Sequence, residues 1–305
     1  MANYDGILLI AFGGPEQACD IRPFLERVTA GRRIPKERLE EVVHHYELMG
    51  GRSPLNELTM RQANGLREIL AHRGVDTPIY VGMRNWHPFL HETLAVMGEQ
   101  GHQRVLGIIL SAFQTEASWE RYMADVTAAR ATLGASAPVV EYAPAWADHS
   151  LFIKAMADRV ATTLDQLPPG FTKPPLVFTA HSLPISMAAG APYVAQFEAA
   201  SRAVANTLSC SNWRTAYQSR SGRPTDPWLE PDIGDALSTL AEAGERAVVV
   251  APIGFVCDHV EVLYDLDYAA KTRAQTLGLE FFRASAVNDH PLFVEMLADL
   301  ALGSG

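Results

Sequence analysis

The sequence predicts an α/β protein of two doubly wound units, each built on a four-stranded parallel sheet, and three observations carry that expectation. Short apolar runs alternate with longer amphipathic stretches from one end of the 305 residues to the other, the pattern of strands buried on both faces and joined by crossover helices. Eight such runs are too many for one small sheet, yet they divide evenly, four and four. Between the two sets lies Leu167-Pro168-Pro169-Gly170-Phe171-Thr172-Lys173-Pro174-Pro175, a stretch too rich in proline to donate a ladder of hydrogen bonds.

In order, the first set places strands at 7–12, 79–81, 105–110 and 139–142, where apolar residues run without a polar alternation. Helical spacing fills the intervals at 23–28, 36–49, 58–72, 88–99, 118–133 and 149–167. The second set has strands at 176–180, 215–218, 247–251 and 279–282, and helices at 191–208, 233–243, 260–277 and 291–302. The expected domains are therefore 1–167 and 168–305, with the C-terminal helix packing back on the first; about 150 residues per domain fits the length. Both halves begin alike: Gly6 to Pro15 and Pro175 to Pro184 each run from an apolar strand through a small residue to a turn closed by proline, which reads as duplication of one unit.

Lys plus Arg number 25 against 35 Asp plus Glu, a formal charge of -10, and no basic cluster is longer than Arg32-Arg33. A nucleic-acid partner is excluded, because a phosphate backbone needs a basic track to displace its counterions. Cys19, Cys210 and Cys257 are odd in number and far apart, which fits free thiols in a reducing cytoplasm and cannot supply a four-cysteine iron–sulfur cluster. No stretch approaches the roughly 20 apolar residues needed to cross a bilayer. Asp5 stands where a signal peptide carries positive charge, and Leu302-Gly303-Ser304-Gly305 has no prenylation cysteine, so a cytoplasmic chain without a membrane anchor is expected. Dinucleotide, Walker-type and serine-elbow fingerprints are all missing.

In α/β folds the chemistry belongs at the carboxyl ends of the strands. There the sequence offers Thr179-Ala180-His181-Ser182-Leu183-Pro184, with an imidazole where a buried strand ends, able to stay neutral and take a proton or bind a metal; a capped turn histidine is the alternative meaning. A second buried strand ends at Gly254, and the helix after it carries Glu261 and Asp265 at i, i+4, on one face. Spacing alone fits a solvated acidic stripe. Here Val260, Val262 and Leu263 surround the acids and no Lys or Arg follows before Lys271, a setting that raises carboxylate pKa values and suits proton transfer or hard-metal capture. His87 and His91 have helical metal-pair spacing but no third ligand nearby, His44-His45 read as a solvated helix face, and Cys257 as a small core residue.

Together the motifs resemble the ferrochelatases, which insert ferrous iron into a porphyrin. The resemblance covers about 7–291 through Leu9 to Pro15, Gly50-Gly51-Arg52-Ser53-Pro54-Leu55, Thr179 to Pro184, Tyr217 to Gly222, Asp226-Pro227-Trp228-Leu229 and Pro252 to Asp267. It implies two Rossmann-like domains with the macrocycle in the cleft between them. His181 resembles the family's active-site histidine, Glu261 its partner glutamate and Asp265 the next acid of a ridge. The following ridge position falls on Ala269, which is not acidic. Tyr122 and Ser53 look like propionate contacts. Phe12 stands where soluble relatives often place a tyrosine near the metal, and Asn85 where some have a histidine. The Gly222-to-Trp228 spacing resembles the soluble coproporphyrin-dependent branch, and four propionates suit a soluble enzyme.

The resemblance implies iron insertion into coproporphyrin III in haem biosynthesis, with porphyrin and ferrous iron as substrates, no further cofactor and a downstream haem-pathway enzyme as partner. The chemistry needs a base for two pyrrole protons and a bent macrocycle. His181 serves as that base, with Glu261 orienting it or relaying the proton to Asp265, or else His181, Glu261 and Asp265 bind the iron, since imidazole suits a ferrous ion. Arg32, Arg52, Arg84 and Arg121 are available to offset propionate charge. Alternatives are a protoporphyrin IX ferrochelatase, a cobalt or nickel tetrapyrrole chelatase, and a haem carrier, which needs an axial ligand but no proton relay.

Overall fold

The computed structural model describes residues 4–31, 34–221 and 226–303. Among the described residues, eight strands form two four-stranded sheets, and every pairing between these strands is parallel. The first contains β1 (Gly6–Ala11), β2 (Ile79–Met83), β3 (Arg104–Ile109) and β4 (Val139–Tyr142) in the order β2-β1-β3-β4. The second repeats that order with β5 (Leu176–His181), β6 (Trp213–Gln218), β7 (Ala247–Ala251) and β8 (Glu280–Arg283), arranged β6-β5-β7-β8. The central strands β1 and β7 are buried at every residue, which is why they read as unbroken apolar runs.

The connecting helices are α1 (Ile21–Val28), α2 (Lys36–Leu48), α3 (Leu55–His72), α4 (Leu90–Glu99), α5 (Arg121–Leu133), α6 (Ser150–Asp165), α7 (Ile185–Ala188), α8 (Tyr193–Thr207), α9 (Ile233–Glu242), α10 (Val260–Val262), α11 (Lys271–Thr276) and α12 (Pro291–Leu302). The short α7 was not anticipated by the apolar spacing. The helix expected over 260–277 is three pieces, because Leu263–Ala270 winds as a π-helix between α10 and α11. A second π turn, Glu116–Glu120, leads into α5. Apolar spacing announces a helix but not the switch to i→i+5 bonding.

The chain forms two compact units. The first comprises the chain up to Ser111, Ala117–Ala145 and the chain from Asp289; the second comprises Ala112–Glu116 and Trp146–Asn288. The Pro-dense stretch at 167–175 thus lies inside the second unit, as the connection between α6 and β5. The division falls before α6 because that helix buries Phe152, Ile153, Met156 and Val160 and packs on α8 and β7 of the second unit. Ala112–Glu116 joins the same unit: the Phe113 ring meets Tyr193 at 5.9 Å and Phe197 at 5.6 Å, and Gln114 and Gln196 exchange hydrogen bonds of 2.8 and 2.9 Å. In the first unit α12 packs on α3, where Val294 fills the space beside Gly65, and Arg73 pairs with Asp299 at 3.1 Å and with Glu295.

One close approach positions the end of β5. Gly254, in the turn after β7, donates its N–H to the Thr179 carbonyl at 2.9 Å. A Cβ on Gly254 would lie 2.5 Å from the Ala180 Cβ and 2.6 Å from its Cα, so only glycine fits without moving the strand. Gly254→Ala is therefore expected to destabilise the fold by about 1–3 kcal/mol through overpacking against backbone. Urea denaturation measures it, and a wild-type midpoint would refute the steric reading.

Candidate active site

In the order β6-β5-β7-β8 the chain first adds β6 on one side of β5 and then β7 on the other, so the topological switch point lies between β5 and β7. His181 is the last residue of β5 and the turn after β7 carries Gly254 to His259, so both project from that point. The backbone of His181 is fixed on both sides. Its carbonyl accepts from the Tyr193 hydroxyl at 2.8 Å, while Ser182 donates its N–H to the Gln218 carbonyl at 2.7 Å and its hydroxyl to the Leu229 carbonyl at 3.0 Å. Burial pushes the Tyr193 phenol far up, so it remains a donor.

The His181 side chain is 30% exposed. Its Nδ1 lies 2.5 Å from the Ser182 carbonyl oxygen. A carbonyl only accepts, so Nδ1 carries the proton and the lone pair of the neutral ring is on Nε2. That Nε2 faces Glu261 Oε2 at 3.8 Å, ion-pair range rather than a hydrogen bond. Glu261 is the second residue of α10 and its carboxylate is 54% exposed, so the apolar setting expected for both acids does not hold for this one. Neighbouring valines in sequence turn to the core while Glu261 turns outward: Val260 and Val262 are buried.

His259 caps α10, its Nδ1 accepting the Glu261 N–H at 3.2 Å. The accepting Nδ1 leaves the proton on Nε2, the opposite tautomer to His181. Burial holds the His259 pKa below the usual imidazole value, against the pull of the Glu261 charge. The Phe255 ring stands beside both histidines, with centroids 6.4 Å from His181 and 5.1 Å from His259. His259 was missed by the sequence reading; the available signal was a histidine two residues ahead of the acid at a helix start.

Asp265 follows in the π-helix and accepts a hydrogen bond from the Ser219 hydroxyl. Burial pushes its carboxyl up to about 6, with the Glu261 charge adding to the rise and the Ser219 hydrogen bond opposing it. Asp265 opens on a cavity of about 270 Å³ lined also by Gln218, Ser219, Asp232, Ala269 and Arg273. Asp232 caps α9 by accepting the Gly234 N–H at 2.8 Å, and burial raises its pKa too.

The first unit, by itself, places the other sequence candidates around the end of β1. Phe12 is 38% exposed and meets Phe24 edge-on at 6.3 Å, and its carbonyl accepts from the Asn85 side chain at 3.1 Å. Arg52 is exposed and makes no ion pair among the described residues. Ser53 is buried against Gly14, and its hydroxyl accepts the Leu55 N–H at 3.4 Å, so it serves the loop. Tyr122 is buried under the Arg84 guanidinium, 4.4 Å from the ring centroid, and burial raises its phenol. Arg84 is itself paired with Asp125 at 2.5 Å, which neutralises a cation the sequence offered for propionates. Arg32 and the Gly222-to-Thr225 part of the spacing motif lie outside the described residues.

Other sequence readings resolve simply. His87 pairs with Glu92 at 3.0 Å and His91 stacks on Phe89, and among the described residues no group of three or more His, Cys, Asp or Glu is arranged for a metal. His44 is exposed, but His45 is only 16% exposed and faces inward. Cys257 is buried in the core.

A family model of the ferrochelatases matches residues 4–304. The chain belongs to the ferrochelatase family. It is 41% identical to a ferrochelatase of Rhodopirellula baltica over 97% of this chain and 85% of that one. It is also 41% identical to a coproporphyrin III ferrochelatase of Mycolicibacterium smegmatis, over 98% and 89%. Among solved structures it resembles SirB of Bacillus subtilis with Fe3+, with a TM-score of 0.58, 12% identity and coverage of 98% and 96%, a likeness of fold. Among the described residues of this ferrochelatase-family chain no helix is long and apolar enough to cross a membrane.

Asp265 gives a pH test. Its folded pKa of about 6 exceeds the unfolded value of 3.8, so the folded state holds the extra proton and stability falls as pH rises from about 4 through about 6. Asp265→Asn removes that loss. The variant is expected to exceed the wild type by about 1–3 kcal/mol at pH 8 and to match it near pH 3.5. Denaturation curves at both pH values measure the difference, and an advantage independent of pH would refute the assignment.

Proposed function

We propose that this chain inserts ferrous iron into coproporphyrin III, giving coprohaem, as a step of haem biosynthesis. The observation that carries the proposal is the Nε2 lone pair of His181 facing the Glu261 carboxylate at 3.8 Å, at the switch point of a ferrochelatase-family chain. The relatives described as coproporphyrin III ferrochelatases, 41% and 42% identical to this chain in two cases, favour the four-propionate substrate.

A free-base porphyrin carries two pyrrole N–H protons, and both must leave as the divalent ion enters, so charge balances at Fe2+ in for two protons out. His181 accepts a pyrrole proton at Nε2, the atom left basic by the Nδ1–H bond to Ser182. Glu261 stabilises the imidazolium that forms, and Asp265, with its pKa near 6, takes protons onward. Because Glu261 stands in solvent, its attraction to the imidazolium is modest, and it acts chiefly by setting direction. The same Nε2 lone pair suits ferrous iron. In the first unit, the exposed Phe12 ring offers a face for a porphyrin and the Arg52 guanidinium a partner for a propionate.

The test is anaerobic insertion of ferrous iron into coproporphyrin III and protoporphyrin IX in parallel, followed by loss of free-base absorption. Turnover of coproporphyrin III is expected to exceed that of protoporphyrin IX. Binding without turnover would make the protein a carrier, and turnover only with cobalt or nickel would make it a different chelatase. His181→Ala is expected to bind porphyrin normally and to lose about 10²- to 10⁴-fold or more in turnover; substantial activity in that variant removes the histidine from the mechanism. Arg52→Ala is expected to raise KM for coproporphyrin III with kcat nearly unchanged, and an unchanged KM would exclude a propionate contact.

A further inference from the structure

We propose that Arg283 is a positioning residue that clamps the segment carrying Glu261 and Asp265 from both sides. The inference rests on the reading of those acids as members of the active site. Arg283 ends β8, where it pairs in register with Val250 of β7, so its backbone belongs to the sheet. Its side chain is 14% exposed and reaches in two directions. Nη1 donates to Asp258 Oδ1 at 2.7 Å, just before α10, while Nε and Nη2 form a two-pronged bond to Asp267 at 2.6 and 2.9 Å, inside the π-helix. Glu261 and Asp265 lie between these two anchors in the chain.

The far anchor is itself braced. Asp258 accepts the Asn288 side-chain N–H at 2.8 Å and the Ala286 N–H at 3.1 Å, and its own N–H goes to Asn288 Oδ1 at 2.8 Å. Asn288 holds a left-handed φ of 50° and donates its N–H to the Val256 carbonyl at 2.9 Å. Every partner comes from the turn after β7 or from the chain just after β8, so the network ties the acid-bearing segment to the edge of the sheet.

Two physical arguments give the clamp a role beyond holding the fold. A π-helix is a rare geometry with less favourable bonding than an α-helix, and eight residues of it need support from outside the helix. Charges drawn partly out of water contribute little net stability, because desolvation offsets their attraction; what a two-pronged guanidinium supplies is fixed direction. Carboxylates that must meet an imidazole need their segment held to a fraction of an ångström. The sequence concealed this, since Arg283 is eighteen residues beyond Asp265 and belongs to a different element.

The test compares Asp267→Asn and Arg283→Lys with Leu240→Ala, which empties a fully buried position of the same unit's core and leaves all three clamp side chains in place. Lysine keeps the charge but cannot form the two-pronged bond. Both clamp variants are expected to speed amide hydrogen exchange across 259–270 by about tenfold or more, leaving β5 to β7 at wild-type rates. They are also expected to lower kcat for iron insertion by about tenfold to a hundredfold, with KM for coproporphyrin III within about twofold. Leu240→Ala is expected to lower the denaturation midpoint and to raise exchange throughout the unit rather than across 259–270 alone, with kcat near the wild-type value. Unchanged exchange across 259–270, or exchange that rises throughout the unit as it does for Leu240→Ala, overturns the clamp. If the wild type inserts no iron, the proposed function falls, and hydrogen exchange still decides whether Arg283 fixes the segment.

Discussion

The seat of Gly254 against Ala180 is the constraint on which the second unit's site depends. With no side chain between them, the turn after β7 donates directly to the Thr179 carbonyl and lies flat on the end of β5. That contact brings the start of α10 to within ion-pair distance of the His181 ring. The tautomer of His181 is set locally by Ser182 in β5's own continuation, while the carboxylate it faces comes from the segment after the strand beside it. Two neighbouring strand ends supply the two halves of the pair, as the switch point of a doubly wound sheet allows.

The groups around that pair divide the electrostatic work by environment rather than by type. Glu261 and Asp265 are both carboxylates of one helical run, but Glu261 stands in water and Asp265 is withdrawn beside a small cavity, where burial raises its pKa towards neutrality. His181 and His259 are both neutral-capable imidazoles with opposite tautomers: one bonds a carbonyl and keeps Nε2 basic, the other caps a helix and is kept uncharged by burial. Identical side chains acquire distinct chemistry from what lies within one hydrogen bond of each.

Several tertiary features were beyond the reach of the linear pattern. Val260 and Val262 beside Glu261 suggested an apolar setting, but helical winding sends those side chains inward and the acid outward. No cation stands near Glu261 and Asp265 in the chain before Lys271, and the guanidinium that does arrive, Arg283 from β8, pairs with their neighbours Asp258 and Asp267 rather than with either of them. Proline density at 167–175 suggested a seam, because proline breaks ladders wherever it occurs; whether such a stretch divides units depends on where α6 buries its apolar side, and that is the second sheet. Arg84 had the right charge and place for a propionate, but Asp125 already occupies it.

The sequence by itself determined the eight strands, their division into two sheets of four, and the position of His181 at a strand end, because unbroken apolar runs and the residues that stop them are local properties. It also carried the ferrochelatase motifs, since a motif is a statement about neighbours in the chain. Only the tertiary structure decided which acid is buried, which nitrogens of His181 and His259 accept, where the units divide and which arginine pairs with Asp258 and Asp267. Each of those depends on a partner brought from a distant part of the chain, and solvent exclusion and hydrogen-bond direction arise only once that partner is in place.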